Sequence, residues 1–112
     1  MDIRENRSGN VVVLELAGRL SIGEGDGQLR DRLATLIAGG EKEILINMSG
    51  VTVLDSSGVG ELVAARLAAA EAGSKIKLAE LSPKVGDVLR ITQLIGVFEI
   101  FDTVGEGTAS FS

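Results

Sequence analysis

Asp55-Ser56-Ser57-Gly58 places a carboxylate, two hydroxyls and a glycine in four consecutive positions, directly ahead of a segment with helical periodicity. Residue types of this kind can cap a helix, accept a phosphoryl group or contact a partner. The chain contains neither His nor Cys. That removes the common routes to zinc binding, to Ser-His-Asp catalysis and to thiol nucleophiles. Hard metals on carboxylates have little to work with. No EF-hand spacing occurs, and Glu24 and Asp26 stand sparsely among glycines. Nucleotide loops fare no better: GxxxxGK[ST] is absent, and Gly58-Val59-Gly60 is followed by Val63 where a dinucleotide fingerprint wants a small residue. A small enzyme built on Asp55 and Ser56 would lack an evident base. No metal, cofactor or catalytic function is expected.

The elements around Asp55 follow from patterning. Ile3 to Asn6 reads as a short edge strand, turned through Ser8-Gly9-Asn10 into Val11-Val12-Val13-Leu14-Glu15-Leu16, which has the character of a strand buried on both faces. Gly18 is expected to end it, and Gly23-Glu24-Gly25-Asp26-Gly27 to form a flexible loop. Leu29, Leu33, Leu36 and Ile37 then recur at helical spacing until Gly39-Gly40. The pattern repeats: Ile44-Leu45-Ile46-Asn47-Met48 is a second buried strand, and a loop through Val51 to Leu54 leads to Asp55. Val59, Leu62, Val63, Leu67 and Ala70 mark one face of a long helix closed by Gly73. Lys75 to Leu81 is a strand with Ile76 and Leu78 opposed to Lys75 and Lys77. Ser82-Pro83 starts a helix, with a buried stripe of Val85, Val88, Leu89 and Thr92 ended by Gly96. Val97 to Phe101 is a last short strand, and Gly105 to Ser112 is weakly patterned.

Strands alternating with helices of about 12 to 15 residues imply βαβ units. The expected fold is α/β: a mixed, mostly parallel sheet with an antiparallel N-terminal edge hairpin and helices packed against it, as a single domain over residues 1–112. Of the 112 residues, 45% are hydrophobic and three are aromatic, so the core must be aliphatic. Eleven basic residues, dispersed among sixteen acidic ones for a net charge of −5, argue against nucleic acid. The polar start and the lack of an apolar run near the ~18 residues that span a bilayer point to a cytoplasmic protein without a membrane partner.

In such folds ligands and modifications gather where strand ends meet helix N-termini, the place held by Asp55 to Gly58. Capping alone explains one residue, at about 1 kcal/mol. It explains less well the glycines that follow, each costing about 1 kcal/mol against Ala in a helix. Glu61 lies one position too far from Ser57 for a capping box. On residues alone, capping and function both remain open.

Asp55-Ser56-Ser57-Gly58-Val59-Gly60, reached from Ile44-Leu45-Ile46-Asn47-Met48-Ser49-Gly50-Val51, closely resembles the bacterial anti-sigma factor antagonists of the STAS family. Gly18-Arg19-Leu20 and Leu29-Arg30-x-x-Leu33 also resemble that family, and the resemblance covers nearly the whole chain. It implies that Ser56 is the phosphoacceptor, modified by an anti-sigma factor with serine kinase activity and restored by a phosphatase. It further implies that Asp55 shapes the site and orients the hydroxyl, that Ser57 caps the helix, and that Gly58 permits close approach. The partner surface would then comprise Asp55, Ser57, Gly58 and Val59, completed by Ser21 and Gly23 of the loop after Gly18. Ser21 departs from the Asp that family members often carry there. A rival within the fold is a regulatory STAS module of a transporter or multiprotein signalling assembly. A phosphoaspartate receiver using Asp55 would need an acidic pair after an early strand for Mg²⁺, and Ala17-Gly18-Arg19 supplies none.

Overall fold

A computed structural model describes all of residues 1–112. Strand β1 (Asp2–Ser8) turns back antiparallel onto β2 (Val11–Leu20), and three crossovers follow. Helix α1 (Asp26–Ala38) leads to β3 (Glu43–Leu54), α2 (Ser56–Glu71) to β4 (Lys75–Ala79), and α3 (Pro83–Ile91) through a 3₁₀ turn (Ile95–Val97) to β5 (Ile100–Phe101). Helix α4 (Val104–Ala109) ends the order. The sheet runs β1-β2-β3-β4-β5, with every pair after the first parallel. This is the mixed sheet that the βαβ pattern implies.

Strand alternation divides the apolar residues between two faces. Val12, Leu14 and Leu16 of β2, with Ile44, Ile46 and Met48 of β3 and Ile76 and Leu78 of β4, pack under Leu29, Leu33 and Leu36 of α1, Val59 and Leu62 of α2, and Val85 and Leu89 of α3. The other face carries Val11, Val13, Leu45 and Ala79, covered by Phe101, Val104 and Phe111. Burial on both sides is why Val11 to Leu14 reads as an uninterrupted apolar run.

Several elements differ from the sequence expectation. Gly18 does not end β2: the strand continues to Leu20 through register shifts beside Glu15 and Gly18. Val51 to Leu54 is strand, pairing Gly18 with Val51 and Leu20 with Leu54. Val51 and Leu54 are buried. On α2, Leu67 is 56% exposed and Ala70 is also outside, while Ala69 takes the inner position. Helix α3 closes at Ile91, with Thr92 exposed as its C-cap and Gln93 at φ 61, so Gly96 lies beyond it.

Lys77 is the largest departure. It lies on the second face with its side chain buried, its Nζ donating to Ser110 Oγ at 3.0 Å and Ser110 O at 3.3 Å. The ammonium sits 4.3 Å from the Phe111 ring centroid and 5.7 Å from that of Phe101. The C-terminal segment that supplies these partners is ordered as α4. Thr103 Oγ1 accepts from Glu106 N at 3.1 Å, while Glu80 Oε2 accepts from Val104 N at 3.0 Å. Thr103-Val104-Gly105-Glu106 has capping-box spacing, a signal that could have revealed this helix.

Candidate functional site

The carboxyl end of β3 delivers Asp55 to the start of α2. Asp55, not Ser57, is the N-cap: its Oδ1 accepts from Gly58 N at 3.0 Å. The other oxygen accepts from Ile22 N, also at 3.0 Å, so one carboxylate joins the β2–α1 loop to the first turn of α2. These two N–H donors, Gly58's first, hold the Asp55 carboxyl below its usual range, against an opposing effect of desolvation.

Ser57 serves a second junction. Its half-buried hydroxyl donates to Asp26 Oδ2 at 3.1 Å, tying the N-terminus of α2 to that of α1. Asp26 also accepts from Gly27 N at 2.8 Å and Gly23 N at 3.4 Å. Its carboxyl is held below the usual range, chiefly by the Gly27 N–H, with desolvation opposing and the Ser57 hydroxyl assisting.

The Gly23 to Gly27 run is therefore not a loose loop: Gly23 to Gly25 lie in a hydrogen-bonded turn, and Asp26 and Gly27 are the first residues of α1. Ser21 and Glu24 exchange backbone bonds of 2.9 and 3.0 Å. Gly25 has φ 83, and a Cβ there would lie 2.4 Å from Arg19 O, so no other residue type fits without displacement. Arg19 pairs with Glu24 and Arg30 with Glu61, both at 3.1 Å.

Tertiary packing separates the expected site residues. Ser56 is exposed at the first position of α2, and its hydroxyl takes no part in the network around Asp55 and Asp26. Gly23 is exposed; Asp55 and Ser57 are half-buried. Ser21 is buried, which corrects its expected place on the outer surface. Val59 points into the core between sheet and helix and is likewise not a surface residue. Gly58 does permit a close approach, but of the chain's own β2: an added Cβ would stand 2.3 Å from Leu20 O and 2.9 Å from Leu54 Cδ1. Ile22, which the residue pattern did not single out, is 77% exposed on the loop that Asp55 holds.

Both carboxylates accept from backbone or hydroxyl donors, and neither is hydrogen-bonded to the Ser56 hydroxyl. The arrangement presents the Ser56 hydroxyl at a helix N-terminus, on an edge where hydrogen bonds join the β2–α1 loop to the start of α2.

A family model described as the MlaB STAS domain matches residues 3–99. The chain belongs to the STAS domain family. Among solved structures, it is similar to SpoIIAA of Bacillus in its unphosphorylated form (26% identity, TM-score 0.81, covering 98% of this chain and 96% of that one). The phosphorylated form of SpoIIAA matches with TM-score 0.76 at 23% identity, covering 99% and 100% of the two chains. An anti-sigma factor antagonist of Mycobacterium paratuberculosis shares the fold at 16% identity and TM-score 0.87, over 97% and 92% of the chains. So does a sulfate transporter family protein of Wolinella succinogenes, at 20% identity and TM-score 0.74, over 92% and 85%. This STAS domain thus has structural neighbours among both anti-sigma factor antagonists and a transporter family. No helix in it is long and apolar enough to cross a membrane.

Proposed function

We propose that this STAS domain is an anti-sigma factor antagonist, acting by binding rather than catalysis, and that phosphorylation of Ser56 switches it off. In the unphosphorylated state it binds an anti-sigma factor with serine kinase activity; that kinase transfers the γ-phosphoryl group of ATP to Ser56, and a phosphatase removes it. The observation that carries this reading is the free Ser56 hydroxyl at the exposed start of α2, beside an Asp55 already committed to holding the edge together. The neighbour SpoIIAA, solved in phosphorylated and unphosphorylated forms, supports it.

Phosphorylation adds about −1.5 to −2 charges and three acceptor oxygens. A helix N-terminus accommodates such charge and gains up to ~1 kcal/mol from it, so the domain stays folded. A partner surface fitted to a neutral hydroxyl instead meets a bulky dianion beside Asp55. Desolvating it without a matched cation costs several kcal/mol, a large part of the roughly 8 kcal/mol behind a micromolar complex.

The test is incubation with purified anti-sigma serine kinases and ATP, followed by intact-mass measurement and site mapping. Gain of one phosphoryl group at Ser56, abolished in Ser56→Ala, is expected. Modification elsewhere, or none with any kinase, overturns the reading. The Wolinella neighbour keeps in view a second reading, a regulatory module of a transporter. Affinity capture with the unphosphorylated chain separates the two: an anti-sigma factor is recovered in the first case, a transporter subunit in the second.

A further inference from the structure

Two serines stand side by side at the start of α2, and residue type alone does not tell them apart as phosphoryl acceptors. Their surroundings do. Ser56 is exposed and lies outside the hydrogen bonds around Asp55 and Asp26. Ser57 is half-buried and donates its hydroxyl to Oδ2 of Asp26, the first residue of α1, at 3.1 Å. Asp26 is held in place for this: Oδ1 accepts from Gly27 N at 2.8 Å, and Oδ2 also accepts from Gly23 N at 3.4 Å.

The first turn of α2 has little room to change which serine it presents. Successive helical residues point about 100° apart, so bringing Ser57 to the place of Ser56 means rolling the helix start by that angle. Asp55 caps the turn through Gly58 N. Gly58 lies against β2, where an added Cβ would stand 2.3 Å from Leu20 O. Ser57 therefore meets an incoming kinase where it stands, with its hydroxyl turned to α1.

Phosphoryl transfer forms a bond from the serine Oγ to the γ-phosphorus of ATP and breaks the bond from that phosphorus to its bridging oxygen. ADP leaves, and the hydroxyl proton passes to a base of the kinase. Both requirements are opposed at Ser57. Its hydroxyl proton is directed at Asp26, and the phosphoryl group would be built onto an oxygen that stands 3.1 Å from a carboxylate oxygen. Like charges so close repel strongly where water is partly excluded. Arg30, whose charge reaches Asp26, is already paired with Glu61 at 3.1 Å.

We propose that Asp26 is the positioning residue that restricts phosphoryl transfer to Ser56: by accepting the Ser57 hydroxyl and setting a carboxylate beside it, Asp26 withholds the second serine from the kinase. This rests on the function proposed above and adds to it the residue, on another helix, that keeps the switch to a single site.

The experiment uses the full chain, ATP and the purified serine kinase that modifies Ser56 in the preceding test, with occupancy at each serine read by site mapping. Asp26→Asn removes the charge, and Asp26→Ala removes charge and acceptor together. In either variant, modification of Ser57 relative to Ser56 should rise at least about tenfold, as the loss of a like charge in contact implies. Combined with Ser56→Ala, which alone takes no phosphoryl group, each should restore modification, now at Ser57. A merely structural role for Asp26 would loosen the start of α2 and change the rates at both serines together, leaving their ratio as it was.

An unchanged ratio, or no modification when Ser56→Ala is combined with Asp26→Asn, overturns the proposal while leaving phosphorylation of Ser56 standing. Modification of Ser57 in Ser56→Ala with Asp26 intact also overturns it, because that hydroxyl is then open to the kinase despite the carboxylate. If no kinase modifies Ser56 in the unaltered chain, the proposed function fails and the restriction falls with it. Should Asp26→Ala fail to fold, Asp26→Asn, which keeps one acceptor oxygen, still decides.

Discussion

The Ser57 hydroxyl donates to the Asp26 carboxylate at 3.1 Å, across a separation of 31 residues, and so joins the N-termini of α1 and α2. Capping of α2 is left to Asp55. Ser57→Ala should therefore lower the melting temperature modestly and loosen the turn at Gly23 to Gly25, while leaving the proposed phosphorylation of Ser56 in place. Thermal melts and site mapping of the variant check both halves of the statement. Loss of phosphorylation in a folded Ser57→Ala would move the acceptor to Ser57.

Acid should unfasten this edge. Asp55 and Asp26 both titrate below the usual aspartate value of 3.8 because backbone N–H groups favour their charged forms. The unfolded chain then binds more protons than the folded one as pH falls through that window, and stability declines with falling pH. Their contribution is fully present above the unfolded carboxylate range and is lost as pH drops through the depressed folded values. Urea titrations between about pH 7 and 3 should show this decline, with a shallower slope in Asp55→Asn and Asp26→Asn.

Two glycines of α2 should respond oppositely to alanine. At Gly58 the new Cβ meets backbone, Leu20 O at 2.3 Å, and the substitution should cost about 1–3 kcal/mol or more. At Gly60 nothing lies within 4 Å, and alanine should stabilise the helix by about 0.5–1 kcal/mol. Denaturant midpoints of the two variants provide the comparison.

Lys77→Ala should destabilise the domain by about 1–3 kcal/mol, since it removes buried packing, the contacts with Phe101 and Phe111, and the donor to Ser110. Hydrogen exchange should quicken first in α4 and last in β2 and β3, because the ammonium fastens the C-terminal segment. Uniform acceleration across the sheet would contradict that local role.

Much of the architecture is legible locally. Val11 to Leu14 and Ile44 to Ile46 are apolar without alternation because both faces of those strands are covered. Ser82-Pro83 starts α3 as its residue types require, with Ser82 Oγ accepting from Val85 N at 3.2 Å. Val51 to Leu54, by contrast, is expected as a loop and lies inside a twelve-residue strand. Its pairing with the irregular end of β2 supplies the hydrogen bonds that keep the chain extended. Lys77 reads as a solvent-facing lysine for a similar reason, since the rings and carbonyl that surround it come from residues 24 to 34 positions later.

The Asp-Ser-Ser-Gly segment divides along the same line. Its residue types and its place between an apolar strand and a periodic helix are local properties, and they sufficed to locate the edge, while the choice of Ser56 within it came from the family resemblance. Which residue caps the helix, which glycine is packed from within, and which loop the Asp55 carboxylate fastens were decided only by tertiary structure. Each depends on a partner far away in the chain: Leu20 against Gly58, Ile22 on Asp55, Asp26 on Ser57. Propensity and periodicity act over a few residues, whereas these contacts exist only once the ends of β2 and β3 lie side by side.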